Sequence, residues 1–232
     1  MESETTKPQR RSSARQKLYR AVAAYFREAM PEAKSELHYA NPFELLVAVM
    51  LSAQCTDKRI NQVTPALFRD YPDAAAMAQA TPEDIYGYIR SVSYPNSKAR
   101  HLVGMARMLQ AEHGGEVPHD MQQLVRLPGV GRKTANVVLS VVWREARMAV
   151  DTHVFRVSHR LGLVPERCTT PLSVERTLTR YFTAEEMPDA HHWLILHGRY
   201  TCTALRPKCT SCGLAALCKT FRQGGDKSRE SS

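Results

Sequence analysis

No apolar run in these 232 residues approaches the length of a membrane span, and Met1 is not followed by a signal peptide. The chain is therefore expected to stay off membranes and to work in the cytoplasm. No stretch alternates with period two, and no Asn-Gly or Asp-Gly pair offers a tight hairpin, which argues against sheet architectures. No fixed-period repeat is present, so a solenoid is excluded. Cysteine is scarce, six in all, and four of the six crowd into residues 202–218. A disulfide framework is a poor reading of that distribution; a reducing compartment and a metal centre fit better.

What is present is helical. Hydrophobic residues make up 43% of the chain, enough for one large domain or two modest ones. From Lys17 the apolar residues Leu18, Val22, Tyr25 and Phe26 fall three to four apart, the period of one helix face. Asn41-Pro42 opens a second helix, whose run Phe43–Leu51 is apolar nearly all round and is expected to be central and buried. Further helices are predicted near 57–68, 73–79, 81–89 and 98–112, the last ended by His113-Gly114-Gly115. Met105 and Met108 lie on a helical face and read as core. The fold class is all-α.

The net charge is +9. Residues 1–17 hold five basic and two acidic side chains and residues 219–232 hold four and two, so +3 and +2 of it lie in tails expected to be disordered. The remaining +4 points to an anionic partner or to solubility alone. The segment Leu127-Pro128-Gly129-Val130-Gly131-Arg132-Lys133-Thr134-Ala135 sharpens the choice. It reads as helix, tight turn, helix, with Gly129 and Gly131 at positions a Cβ would strain. Bare backbone N–H groups at the second helix's start, the helix dipole, Arg132 and Lys133 make a phosphate clamp, suited to DNA backbone rather than bases.

Asp151 or Thr152 is expected to cap a short helix that Gly162 ends. As a cap alone Asp151 is ordinary, and Lys133 alone is an ordinary phosphate contact. A lysine amine also attacks a sugar carbon when neutral. Its unperturbed pKa of about 10.4 leaves fewer than about one amine in a thousand as free base at neutral pH. Cys202, Cys209, Cys212 and Cys218, spaced C-x6-C-x2-C-x5-C, suit four ligands of one metal centre. The single C-x2-C pair favours a [4Fe–4S] cluster over zinc without excluding zinc. Cys55 and Cys168 have no implied partner. His191, His192 and His197 do not share one helix face and read as packing residues, as does Trp193.

Together the hairpin with its lysine, the Val-Asp-Thr-His segment, the stretch His191–Cys202 and the cysteine spacing resemble the endonuclease III family over roughly residues 18–218. These are helix–hairpin–helix DNA glycosylase/AP lyases. The resemblance implies that Lys133 is the Schiff-base nucleophile and Asp151 its activating carboxylate. It implies that the four cysteines ligate a [4Fe–4S] cluster. Gln54 would fill the gap left by an extruded base, and Gly129, Val130, Gly131 and Arg132 would grip phosphate. Thr152 and His153, and Arg206 and Lys208 of the loop between the first two cysteines, would add DNA contacts.

The implied architecture is two helical lobes with the active cleft between them. One is a six-helix lobe over 35–146; the other combines 18–34 with 147–218. The implied partner is double-stranded DNA with damaged pyrimidines or abasic sites, met by a monomer near the nucleoid. Ser93-Tyr94-Pro95 departs from the family's usual glycine, aliphatic wedge and aromatic, so Tyr94 is a larger, flatter wedge on a loop stiffened by Pro95. Val125 stands where some members carry glutamate. An adenine-mismatch glycosylase keeps the cluster and aspartate but not the lysine, so Lys133 argues against it. A non-catalytic DNA-binding module is the rival from another class.

Overall fold

The computed structural model describes residues 13–224, and among them every regular element is helical. Helix α1 (Ala14–Ala29) starts earlier than the apolar period indicates, because Ser13 and Gln16 form a reciprocal capping box. Residues 14–17 are therefore helical rather than part of a disordered arm, and the remainder of that expected arm lies outside the described residues. Its buried face is Tyr19, Val22, Ala23 and Phe26, with Leu18 and Tyr25 at the edges.

Helix α2 (Pro42–Leu51) is capped by Asn41, whose side chain accepts from Glu44 N at 2.9 Å. Phe43 and Leu45–Leu51 are all buried, as the unbroken apolar run requires. Around it pack α3 (Asp57–Asp70), α4 (Ala74–Gln79), α5 (Pro82–Ile89), α6 (Pro95–His113), α7 (Met121–Arg126) and α8 (Arg132–Trp143). Thr56, Asp73, Thr81 and Asp120 cap α3, α4, α5 and α7 through their side-chain oxygens. Helix α6 begins at Pro95, not Lys98. Proline occupies its first helical position, where a missing N–H costs nothing, so Pro95 founds a helix instead of stiffening a loop.

A second apolar cluster joins α1 to α9 (Thr152–Leu161), α10 (Pro171–Tyr181) and α11 (Met187–Tyr200). Trp193 belongs to this cluster, stacked 5.8 Å from Phe26, and its Nε1 donates to Met30 O at 3.1 Å. The C-terminal expectation also needs correction. Lys219–Arg222 form a short helix, α12, packed on α9 and tied by a Lys219–Glu166 ion pair of 2.5 Å. Residues 225–232 lie outside the described part.

Candidate active site

The hairpin between α7 and α8 is built by local geometry. Gly129 has φ +79°, and a Cβ there would lie 2.8 Å from Cβ of His101 on α6. Only glycine meets both conditions without strain. Gly131 differs from expectation: its backbone is extended, φ −94° and ψ 173°, and a Cβ would point into open space. The fold does not need glycine there. Val130 is buried and anchors the turn. Lys133 follows as the second residue of α8, exposed, with no hydrogen bond or ion pair among the described residues. Arg132 is engaged by Glu175 of α10 through two hydrogen bonds, 2.5 and 3.1 Å.

Asp151 is the N-cap of α9, accepting from Val154 N at 2.8 Å. It lines a cleft of about 820 Å³ with Lys133, Gln54, Thr152 and His153. That volume falls in the range that admits a nucleoside-sized ligand. Lys133 and Asp151 also border a smaller recess of about 70 Å³, with His191, His192 and Arg199. His191 is fully enclosed, and its Nδ1 has no partner among the described residues. Burial, aided by His192 and Lys133, pushes its pKa from 6.5 down to about 3, so a neutral imidazole sits beside the lysine. Burial likewise takes His192 down to about 4.

Arg199 closes the other wall. It pairs with Asp57 Oδ2 at 2.6 Å and with Glu36, which also accepts from the Tyr200 hydroxyl. Gln54 stands exposed with φ +56°, and Tyr94 with φ +55° and 65% exposure. Each non-glycine left-handed residue costs about 1–2 kcal/mol, a strain typical of functional loops. The two loops are tied together. Ser93 Oγ donates to Gln54 O at 2.7 Å, and buried Lys98 donates to Leu51 O and Ala53 O, both at 2.7 Å. Val125 is exposed on α7.

Each of the four clustered cysteines sits at an element boundary. Cys202 follows α11, Cys209 starts a 3₁₀ turn (Cys209–Ser211), Cys212 ends that turn and Cys218 caps α12. Arg160 of α9 donates to Cys202 Sγ (3.4 Å), Thr203 O (2.7 Å) and Ala204 O (2.8 Å). Arg156 reaches Cys202 O at 3.1 Å and Gly198 O at 2.8 Å. Cys212 Sγ lies 3.7 Å from His197 Nε2, and Cys218 Sγ lies 3.1 Å from Arg160 O. Burial raises the Cys212 thiol pKa, and the nearby Cys202 and Cys218 raise it further. Among the described residues no three metal-binding side chains converge tightly enough for a single ion. The donor set of the four cysteines is all sulfur, which suits an iron–sulfur group.

Sequence reasoning missed the arginine pair of α9, Lys98 and two close contacts. A Cβ on Gly213 would sit 2.3 Å from the Tyr25 ring, and one on Gly198 would sit 2.8 Å from His153 Cβ. The i, i+4 spacing of Arg156 and Arg160 was the one available signal. Arg206 and Lys208 are exposed in the loop before Cys209, and Leu205 beside them is 94% exposed.

Among the described residues, a glycine-turned hairpin and a cleft bordered by a lysine and an aspartate sit in an all-helical frame. Residues 47–184 match the HhH-GPD superfamily base excision DNA repair protein family. The chain is 46% identical to endonuclease III of Escherichia coli (strain K12) over 198 residues, 85% of this chain and 93% of that one. It is 45% identical to endonuclease III of Bacillus subtilis (strain 168) over 192 residues, 83% of this chain and 87% of that one. A trapped endonuclease III–DNA covalent intermediate superposes with TM-score 0.85 at 42% identity, covering 90% of this chain and 98% of that one. A thermostable thymine-DNA glycosylase shares the fold at TM-score 0.83 and 19% identity. The chain belongs to the endonuclease III family. It is a DNA-binding DNA glycosylase with AP lyase activity.

Proposed function

We propose that the chain removes oxidised pyrimidines, thymine glycol among them, through a Schiff base on Lys133 followed by β-elimination. The carrying observation is that Lys133 and Asp151, from different helices, border one cleft with Gln54 at its rim. The lesion nucleotide swings out of the stack, at a cost of a few kcal/mol that is least for a damaged base. The Lys133 amine bonds to C1′ as the glycosidic bond breaks, and the base leaves with a proton. The iminium so formed acidifies the C2′ proton. Loss of that proton expels the 3′ phosphate and cuts the strand, and water then frees the lysine. Asp151 helps draw a proton from Lys133 and steadies positive charge on the sugar.

Gln54 fills the space left by the base, and Tyr94 presses on the opposite strand. The N–H groups over Gly129–Arg132 hold phosphate. Thr152, His153, Arg206 and Lys208 add backbone contacts. Cys202, Cys209, Cys212 and Cys218 hold a [4Fe–4S] cluster, which supplies a structural cross-link when bound. Two lobes, 35–146 and 18–34 with 147–218, flank the cleft; the two separate apolar clusters support that division. The protein works as a monomer on nucleoid DNA. Borohydride added during incubation with abasic duplex tests the reading. The native protein is expected to become covalently trapped and Lys133→Gln is not; equal trapping by both sinks it.

A further inference from the structure

A second hollow, about 430 Å³, lies where the start of α1 meets α10 and the segment before it. Arg15, Arg167, Arg176 and Arg180 all line it, and no aspartate or glutamate does. Other arginines of the same region are paired, Arg27 with Glu186, Arg132 with Glu175 and Arg144 with Asp189, although Arg20 of α1 has no such partner among the described residues. The four in the hollow have no carboxylate partner among the described residues. Among their side chains only that of Arg15 has a contact of another kind, over the Tyr181 ring at 5.8 Å. Gathering four unpaired cations in one concavity is unfavourable unless an anion compensates them.

Position identifies the anion. Pro171 lines the active cleft, while Thr170 and Leu172 on either side of it line the hollow. Along α10, Glu175 turns to Arg132 at the phosphate hairpin, and Arg176 and Arg180 turn to the hollow. A polyanion leaving the cleft past Pro171 meets the arginines next. We propose that this arginine groove is a second DNA-backbone site, holding phosphates of the duplex arm that flanks the lesion. The proposal rests on the repair reading above and extends its footprint beyond the hairpin.

The test is the salt dependence of affinity, read by fluorescence anisotropy with duplexes carrying a stable abasic-site analogue. One duplex is long on both sides of the lesion; two others are trimmed close to it on one side or the other. The triple variant Arg167→Gln, Arg176→Gln, Arg180→Gln is expected to lower the log–log salt slope by roughly 2–3 on the long duplex. The loss should vanish on one trimmed duplex only, and the corresponding lysine triple should keep the native slope. An unchanged slope on the long duplex overturns the proposal. So does an equal loss on all three duplexes, which marks a general charge effect. Borohydride trapping reads the underlying chemistry separately. The glutamine triple should still trap, whereas native protein that fails to trap sinks the repair reading whatever the slopes.

Discussion

Asp151 caps α9, and the proposed function gives it a second job that substitution separates from the first. Asparagine caps a helix as well as aspartate does, so Asp151→Asn should leave the melting temperature nearly unchanged while lowering glycosylase and lyase rates by roughly 10²–10⁴. Asp151→Ala should lose the cap as well and cost about 1 kcal/mol of stability. Single-turnover kinetics beside thermal melts would show it; equal rates for Asn and native protein contradict the assignment. Burial holds His197 at about 4, and His191 and His192 add to the same pH dependence. Both are held below their ordinary 6.5, at about 3 and about 4. The unfolded chain therefore binds protons that the folded one refuses as pH falls below 6.5. Stability conferred by these neutral rings is present above pH 6.5 and is lost progressively towards pH 3–4. At pH 5 each ring costs roughly 2 kcal/mol. Replacing both with asparagine should make the stability profile shallower between pH 6.5 and 4, leaving the share of His197; an unaltered profile would refute that origin.

At the scale of elements, the hairpin's two glycines are expected to part company. Gly129→Ala forces a left-handed alanine against His101 and should destabilise by about 1–2 kcal/mol or more. Gly131→Ala meets nothing, so it should melt like the native protein yet bind DNA less tightly, because its methyl stands where phosphate approaches. Parallel melts and binding isotherms check both, and a stability loss at Gly131 would be the contrary result. The same pair shows what the sequence makes legible. A helix, a turn and a second helix are written in Pro128, the glycines and the apolar period. The φ of each glycine is not, since it depends on what packs above the turn. Caps were readable wherever a side-chain oxygen precedes an apolar run, as at Asn41, Thr81 and Asp151. The early start of α1 was readable too, in Ser13 and Gln16, but polar neighbours hid it. Arg160 reaching Cys202, Lys98 under the Gln54 loop and Gly213 beneath Tyr25 join residues 42 or more apart, and no local pattern encodes such meetings.

For the molecule as a whole, ion pairs link elements of the two apolar clusters. Arg199 of α11 meets Glu36 and Asp57, Arg132 of α8 meets Glu175 of α10, and Arg144 beyond α8 meets Asp189 of α11. Arg199 and Asp57 line the cleft itself, and Lys133 and Asp151 border the same cleft. On that juxtaposition rests the proposal that a single amine, Lys133, joins protein to sugar. The most direct measurement is peptide mapping by mass spectrometry of the borohydride-reduced complex with an abasic duplex. The account predicts deoxyribose remnant on Lys133 and on no other residue. Attachment to another amine, or an intact strand with no adduct from iron- and sulfide-replete protein, would contradict it.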